Sequence, residues 1–249
     1  MRRLVLAAVA VAFAVWAPGV AGQTLAGRLR QAEDGQAFFT YPAKEGIYTC
    51  GRGERGWDRG GGPLRPGCWT GPVEVRLRIE AGTVQRLRSG IADPERAPSG
   101  VDLGSYGGAE AAEWMLTLAE VAEEEVAEQA LGAAAMAADT EIWPRLLELA
   151  RDGARGQQLR KQAVFWLGQE ASDRVLEGLG ALAREDPELE VRKAAVFALS
   201  RRTPDESFPV LRDLALSDAD PALRADALFW LAQMDDPRVL ELFERVLRP

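Results

Sequence analysis

Apolar positions in the second half of the chain recur with a period of 32 residues. Residues 159–167 read LRKQAVFWL, residues 191–199 read VRKAAVFAL, and residues 223–231 read LRADALFWL. Each block is apolar around nearly its whole circumference when wound as a helix, which is expected for a helix packed between neighbours. A fixed period of this length is typical of a solenoid, in which each helical pair buries its apolar surface by stacking on the next pair.

The pattern between these blocks predicts a second, amphipathic helix in each repeat. After the first block, Val175, Leu179 and Leu182 fall on one face of a helix, and Glu177 falls on the other. The same period extends backwards at a spacing of 33 residues, since Gln129-Ala130 corresponds to Gln162-Ala163. We therefore predict a mainly α fold over residues 106–249. It is a right-handed α-solenoid of about four helical pairs, with a leading half-repeat near residues 110–123.

Residues 23–105 show a different, β-type pattern. Residues 73–79 read VEVRLRI, an alternation of apolar and charged side chains that predicts a half-buried strand. Residues 80–82 read EAG and predict a turn, after which residues 83–88 should form the return strand. Val84 and Leu87 do not share parity, so that strand should carry a bulge. Residues 89–105 are rich in Gly and Pro and predict a linker between this small β module and the helices.

The first 22 residues predict a secretory signal peptide. Arg2 and Arg3 precede a short apolar run, Pro18 interrupts that run, and small residues lead to an exit near Gly22. The alternative is an uncleaved membrane anchor, but the run is short for a segment that spans a bilayer, so we expect cleavage and no stable membrane insertion afterwards. Its removal changes the formal net charge from −8 to −10. This acidic balance disfavours nucleic acid as a partner. The signal peptide predicts a periplasmic or extracellular protein.

Cys50 and Cys68 are the only cysteines in the sequence. An even pair in an exported chain predicts one disulfide, here closing a Gly-rich loop. In the chain-entropy model, a loop of this size gains about 3 kcal/mol of stability.

The turn-and-helix strings at residues 186–195 and 220–227 resemble HEAT repeats, and more closely the short HEAT-like type named after the phycobilisome lyases. In that family an Asp of the turn and an Arg of the next helix form a structural ladder. The resemblance implies that Asp186 pairs with Arg192 and Asp220 with Arg224, whereas the sequence before Arg160 departs from the pattern. It also implies a scaffold or a partner-binding surface.

The variable, outward positions of the second helices are the predicted partner-binding residues. They are Arg145, Glu148, Glu177, Arg212 and Glu241. Aromatic residues also recur with the repeat, as Phe165, Phe197 and Phe229 in one position and Trp166 and Trp230 in another. We interpret these rings as packing between repeats, with a ligand-gripping stripe as the alternative.

Trp57 and Trp69 lie in the Gly-rich loop rather than on a periodic face. Such rings can stack on a sugar or a peptide, or can supply the core of a module too small to have much else. The alternative function is therefore a β module that binds a glycan or a small ligand, with the helical array as a spacer.

The sequence contains no histidine. Ser-His-Asp and Cys-His catalysis and His-ligated metals are therefore excluded. The HEAT-like family includes an iron hydroxylase whose metal is held by His-Glu pairs, which this chain cannot supply. We predict a non-catalytic protein without a cofactor or metal, which binds a protein partner in the cell envelope.

Overall fold

The computed structural model describes residues 24–50, 54–57, 64, 66–170, 172–218 and 220–247. The predicted signal peptide at residues 1–22 lies outside the described residues. Seven strands are found in the described part of the chain: β1 (Gly35–Tyr41), β2 (Ile47–Cys50), β3 (Glu54–Trp57), β4 (Cys68–Trp69), β5 (Val73–Glu80), β6 (Thr83–Ile91) and β7 (Val101–Ser105).

Helices dominate the described residues, as predicted. They are α1 (Leu25–Gln31), α2 (Gly108–Val121), α3 (Glu124–Ala135), α4 (Trp143–Arg151), α5 (Gln157–Leu167), α6 (Asp173–Glu185), α7 (Leu189–Ser200), α8 (Pro204–Ser217), α9 (Pro221–Ala232) and α10 (Pro237–Leu247).

Four strands form the main sheet in the order β6-β5-β1-β7. The predicted alternation of β5 is confirmed, because Val75, Leu77 and Ile79 are buried on one face. The predicted irregularity of β6 is confirmed as well, by a register shift between Arg78 and Ile79. The linker prediction is wrong at residues 89–91, which belong to β6, and at residues 101–105, which form β7 parallel to β1. Leu103 of this strand is buried in the core, which holds the strand in place. No hydrophobic period in the sequence predicts that burial.

The turn between β5 and β6 is tighter than predicted, with only Ala81 and Gly82 between the paired residues Glu80 and Thr83. Both turn residues have positive φ, 51° and 70°, the backbone of a two-residue hairpin turn that follows the twist of the strands. The carboxylate of Asp34 accepts hydrogen bonds from both turn N–H groups, at 2.8 and 3.1 Å. These bonds lower the pKa of Asp34, so their support is present at neutral pH and is lost as the pH falls through that pKa.

A second sheet has the strand order β3-β2-β4. Cys50 of β2 lies opposite Cys68 of β4, and the two are joined by a disulfide, which confirms that prediction. The loop that the disulfide closes lies largely outside the described residues.

The helices after residue 106 stack as a solenoid, with α2 as the leading half-repeat. In each repeat the first helix contacts the first helix of the next repeat, which gives a row of α3, α5, α7 and α9. The second helices α4, α6 and α8 contact one another in the same way, with α10 as the second helix of the last pair. Glycine allows close approach in the first row, because a Cβ at Gly168 would lie 2.9 Å from the Cβ of Ala198.

The β module and the first helices of the array share one hydrophobic core. The fully buried ring of Phe39 lies edge-on to Trp114 of α2, with 5.7 Å between ring centroids. The buried hydroxyl of Tyr41 donates a hydrogen bond to the carbonyl of Ala133 in α3, at 2.6 Å. Removal from water raises the pKa of Tyr41, so the phenol keeps this donor. Strand β1 is therefore one of the elements that join the two parts, together with β6, which also contacts α3.

Candidate functional site

The repeated arginines of the first helices are structural. Arg160 and Asp186 form an ion pair in which the side chains are only 3% and 4% exposed. The Nε group of Arg160 also donates to the carbonyl of Ala150 near the end of α4, at 2.8 Å. The other carboxylate oxygen of Asp186 accepts from the backbone N–H of Glu188, at 3.0 Å. Both carboxylate oxygens and two of the three guanidinium nitrogens of this pair thus have partners, and such bonds offset the cost of burying charge.

The pairing predicted from the family resemblance is wrong. Asp186 pairs with Arg160 of the preceding repeat rather than with Arg192, and Arg192 pairs with Asp218. Asp220 instead caps α9 by accepting a hydrogen bond from the N–H of Ala222. Each arginine pairs with an Asp of the following turn between repeats. The stacking of repeats brings the two side chains together, although they are far apart in the sequence. We call these two ion pairs the Arg–Asp ladder.

The predicted partner-binding residues lie on four successive second helices. Glu148, Glu177 and Glu241 are exposed. Arg145 is half-buried and forms ion pairs with Glu113 and Glu120 of α2, the former at 2.9 Å. Arg212 pairs with its neighbour Asp213, at 2.7 Å. The side chains thus form a charged surface in which both arginines already have acidic partners.

The packing interpretation of the repeated aromatics is wrong for two of the rings. Phe165 and Phe229 are 40% and 54% exposed. Phe197, in the equivalent position of α7, is covered by Trp230 of the next repeat, with 5.0 Å between centroids. The residue of α7 that corresponds to Trp230 is Ala198, which is too small to cover Phe165.

The tryptophans hold these rings in place. Trp166 packs over Gly132 of α3, where a Cβ would lie 3.2 Å from the indole. Phe165 lies edge-on to Trp166, and Phe229 lies edge-on to Trp230, with centroids 5.1 and 5.0 Å apart. Together these side chains form the aromatic row of the first helices, which consists of Phe165, Trp166, Phe197, Phe229 and Trp230.

A second candidate site lies on the β module, where four arginines share the outer face of the main sheet. The register places Arg76 opposite Arg88 and Arg78 opposite Arg86. The bulge after Arg78 makes this possible, because it turns Leu87 inward and its two arginine neighbours outward. We call Arg76, Arg78, Arg86 and Arg88 the arginine face. Sequence reasoning found the alternation of β5 but not this cross-strand pairing.

A cleft of about 660 Å³ borders the arginine face. Its lining includes Trp69, whose indole N–H donates to the carbonyl of Ala92 at 2.9 Å. The structure therefore brings Trp69 to a concave site. The backbone of Trp57 pairs with Ile47 at the end of β3, but its side chain lies outside the described part of the chain.

Glu74 is buried in this cleft and forms an ion pair with Arg76. The hydroxyl of Thr49, also a lining residue, is buried and has no hydrogen-bond partner among the described residues. The cleft thus combines cationic, anionic and neutral polar groups with one aromatic ring.

The described residues contain no group of three or more Cys, Asp or Glu side chains placed to hold a metal ion. Within the same residues, no helix is both long enough and apolar enough to cross a membrane.

Comparison with known proteins gives the repeat a family. None of the curated proteins compared with the chain matches it. A solved complex of CpcE and CpcF of phycocyanin lyase from Nostoc sp. PCC7120 contains a similar chain, with 23% identity and a TM-score of 0.39. The similarity covers 47% of this chain and 78% of that one. Residues 144–229 match the family of HEAT repeats. The 32-residue period, the stacked helical pairs and this match identify residues 144–229 as HEAT repeats.

Proposed function

We propose that this protein is a non-catalytic scaffold of the cell envelope that binds a partner protein through its HEAT array. HEAT repeats suggest protein interaction in general, because stacked repeats present long continuous surfaces. The observation that carries the proposal is the exposure of Phe165 and Phe229 on a rigid row of helices. Exposed aromatic rings that are held by their neighbours are typical anchors of protein interfaces.

The aromatic row is favoured over the charged second-helix surface as the main contact. Arg145 is already engaged by Glu113 and Glu120, and Arg212 by Asp213. Exposed ion pairs of this kind contribute little affinity. The exposed glutamates of the second helices would then affect the rate and specificity of association more than its strength. The expected partner presents apolar side chains to the rings.

Capture of the partner tests this proposal. The double variant Phe165→Ser/Phe229→Ser, used as bait in a periplasmic extract, is expected to lose a protein that the unchanged chain retains. Its melting temperature should fall by only a few degrees, because both rings are substantially exposed. The matched control is Glu148→Gln/Glu177→Gln, which should retain the partner.

Loss of capture in the glutamate variant alone would move the interface to the second helices. Failure of the unchanged protein to retain any partner would count against the scaffold proposal itself.

The proposal includes export, for which the basic and apolar pattern of residues 1–22 is the main support. The disulfide between Cys50 and Cys68 agrees with it, because disulfides persist in oxidising compartments. The protein recovered from the envelope fraction of its host is expected to have the mass of a chain that begins at Gln23. A full-length chain confined to the cytoplasm would contradict this.

A second candidate function is favoured by the cleft beside Trp69. In this alternative the β module binds a glycan or a small ligand, and the HEAT array is a spacer. Support comes from the size of the cleft, which lies in the range of small-molecule sites, and from the polar groups that converge on one aromatic ring.

A further inference from the structure

We propose that the cleft between the arginine face and Trp69 binds an acidic sugar, a saccharide that carries a carboxylate. This inference rests on the second candidate function and names the class of its ligand. The carboxylate would be held by Arg88 and Arg86 and the sugar ring by Trp69, with the hydroxyls bonded to the remaining polar groups.

The electrostatics of the arginine face favour an anion as the ligand. Like charges placed directly opposite one another destabilise a β-sheet, and this sheet has two such pairs in a chain with an excess of acidic residues. The positive charges of Arg76 and Arg78 are offset by ion pairs with Glu74 and Glu80 on the same strand. Neither Arg86 nor Arg88 forms an ion pair with another described residue. A bound anion would therefore relieve repulsion that the folded protein leaves uncompensated.

The geometry of arginine favours a carboxylate as that anion. The planar guanidinium binds a carboxylate through two parallel N–H···O bonds, which a single point charge cannot do. Arg88 lies on an exposed part of β6, directly across from Arg76, and both line the cleft. Arg96 lines it as well and adds a further donor group.

The lining of the cleft favours a sugar over a simple polyanion. The cleft is also lined by Glu74, Asp93, Glu125 and Gln129, which carry acceptor oxygens. A run of acidic side chains is ionised at neutral pH and has no protons to give to these acceptors. Phosphate keeps one or two protons, but its charge would be repelled by the carboxylates. Sugar hydroxyls both donate and accept, so they match a lining of mixed character.

Thr49 supports the same conclusion. Its side chain is buried, with 6% of the residue exposed, and its hydroxyl lacks a partner among the described residues. Buried polar groups are nearly always hydrogen-bonded, so an orphan hydroxyl in a cleft wall is a position where a ligand group can be satisfied.

The ring of Trp69 is fixed before any ligand arrives. The indole N–H is bonded to Ala92, and the preceding residue, Cys68, is tied to β2 by the disulfide. An aromatic ring held on both sides loses little conformational freedom on binding, and its apolar face suits the C–H face of a sugar.

Isothermal titration of the full chain with trigalacturonic acid tests the proposal, with the fully methyl-esterified trimer as the neutral probe. The acidic trimer is expected to bind at least tenfold more tightly than the ester, with an affinity that falls as salt is added. Arg88→Gln and Arg86→Gln should each weaken the acidic trimer about tenfold and leave the ester unchanged. Arg151→Gln, which removes an exposed arginine of α4, is the matched control.

The alternatives give distinguishable results. Equal binding of the two trimers, or an Arg88→Gln variant that binds the acidic trimer normally, would overturn the acidic specificity but leave a glycan site in place. Absence of binding by either trimer would overturn the second candidate function together with this inference. Binding of poly-glutamate or inorganic phosphate as tightly as the acidic trimer would show that the site recognises negative charge alone. The sugar assignment would then be wrong.

Discussion

Replacement of Arg160 by alanine is expected to lower the free energy of unfolding by about 3–5 kcal/mol, because it leaves the buried carboxylate of Asp186 without its partner. The carbonyl of Ala150 loses a donor at the same time. The change should appear in urea denaturation as a lower midpoint with a similar slope.

Two controls separate the buried charge from the general loss of a side chain. Arg151→Ala removes an exposed arginine and should change stability by about 0.5 kcal/mol or less. The double variant Arg160→Met/Asp186→Leu removes both charges and should regain most of the loss. A single variant that unfolds within 1 kcal/mol of the unchanged protein would show that the Arg–Asp ladder is not a structural requirement.

Phe39→Ala is expected to cost about 3–5 kcal/mol, the range for emptying a buried aromatic site. The variant should destabilise the β module and the array together, because Phe39 belongs to the β module while its ring lies against Trp114 of the array. Melting followed by helix content and by tryptophan fluorescence should give one transition, displaced to lower temperature by the same amount in both signals.

Phe38 offers the matched control, since it neighbours Phe39 on β1 but is only half-buried on the opposite face of the sheet. Phe38→Ala should have a clearly smaller effect. Two separate transitions in the Phe39 variant, with the helical one unchanged, would mean that the shared core does not couple the β module to the array.

The helical half of the fold was predictable because the same apolar pattern recurs in successive repeats. Residues 159–167, 191–199 and 223–231 all became first helices of the array. The partners within the Arg–Asp ladder were not predictable, because Arg160 and Asp186 are 26 residues apart and meet only through the stacking of repeats. Strand β7 was missed for a related reason, since a short strand that pairs in parallel with β1 has no turn or period to mark it.

The candidate sites were predictable only in part. Trp69 could be singled out because it lies off any periodic face, yet its arginine neighbours depend on a bulge whose position the sequence leaves open. Periodicity also misassigned Phe165, because its exposure depends on Ala198 one repeat later, where Trp230 covers the equivalent Phe197. Burial in a repeat array is decided by pairs of residues in successive repeats, and a period alone treats all repeats as equal.

The position of β1 against α2 and α3 has a consequence for how this protein could change over evolutionary time. A solenoid needs a cap on its terminal repeat, because the apolar side of the outermost helices otherwise faces water. Here the sheet is that cap, and Phe39 and Tyr41 make its contacts with the helices. Repeats distant from it contact only their neighbours, so the array could lengthen or shorten there without disturbing the cleft of the β module.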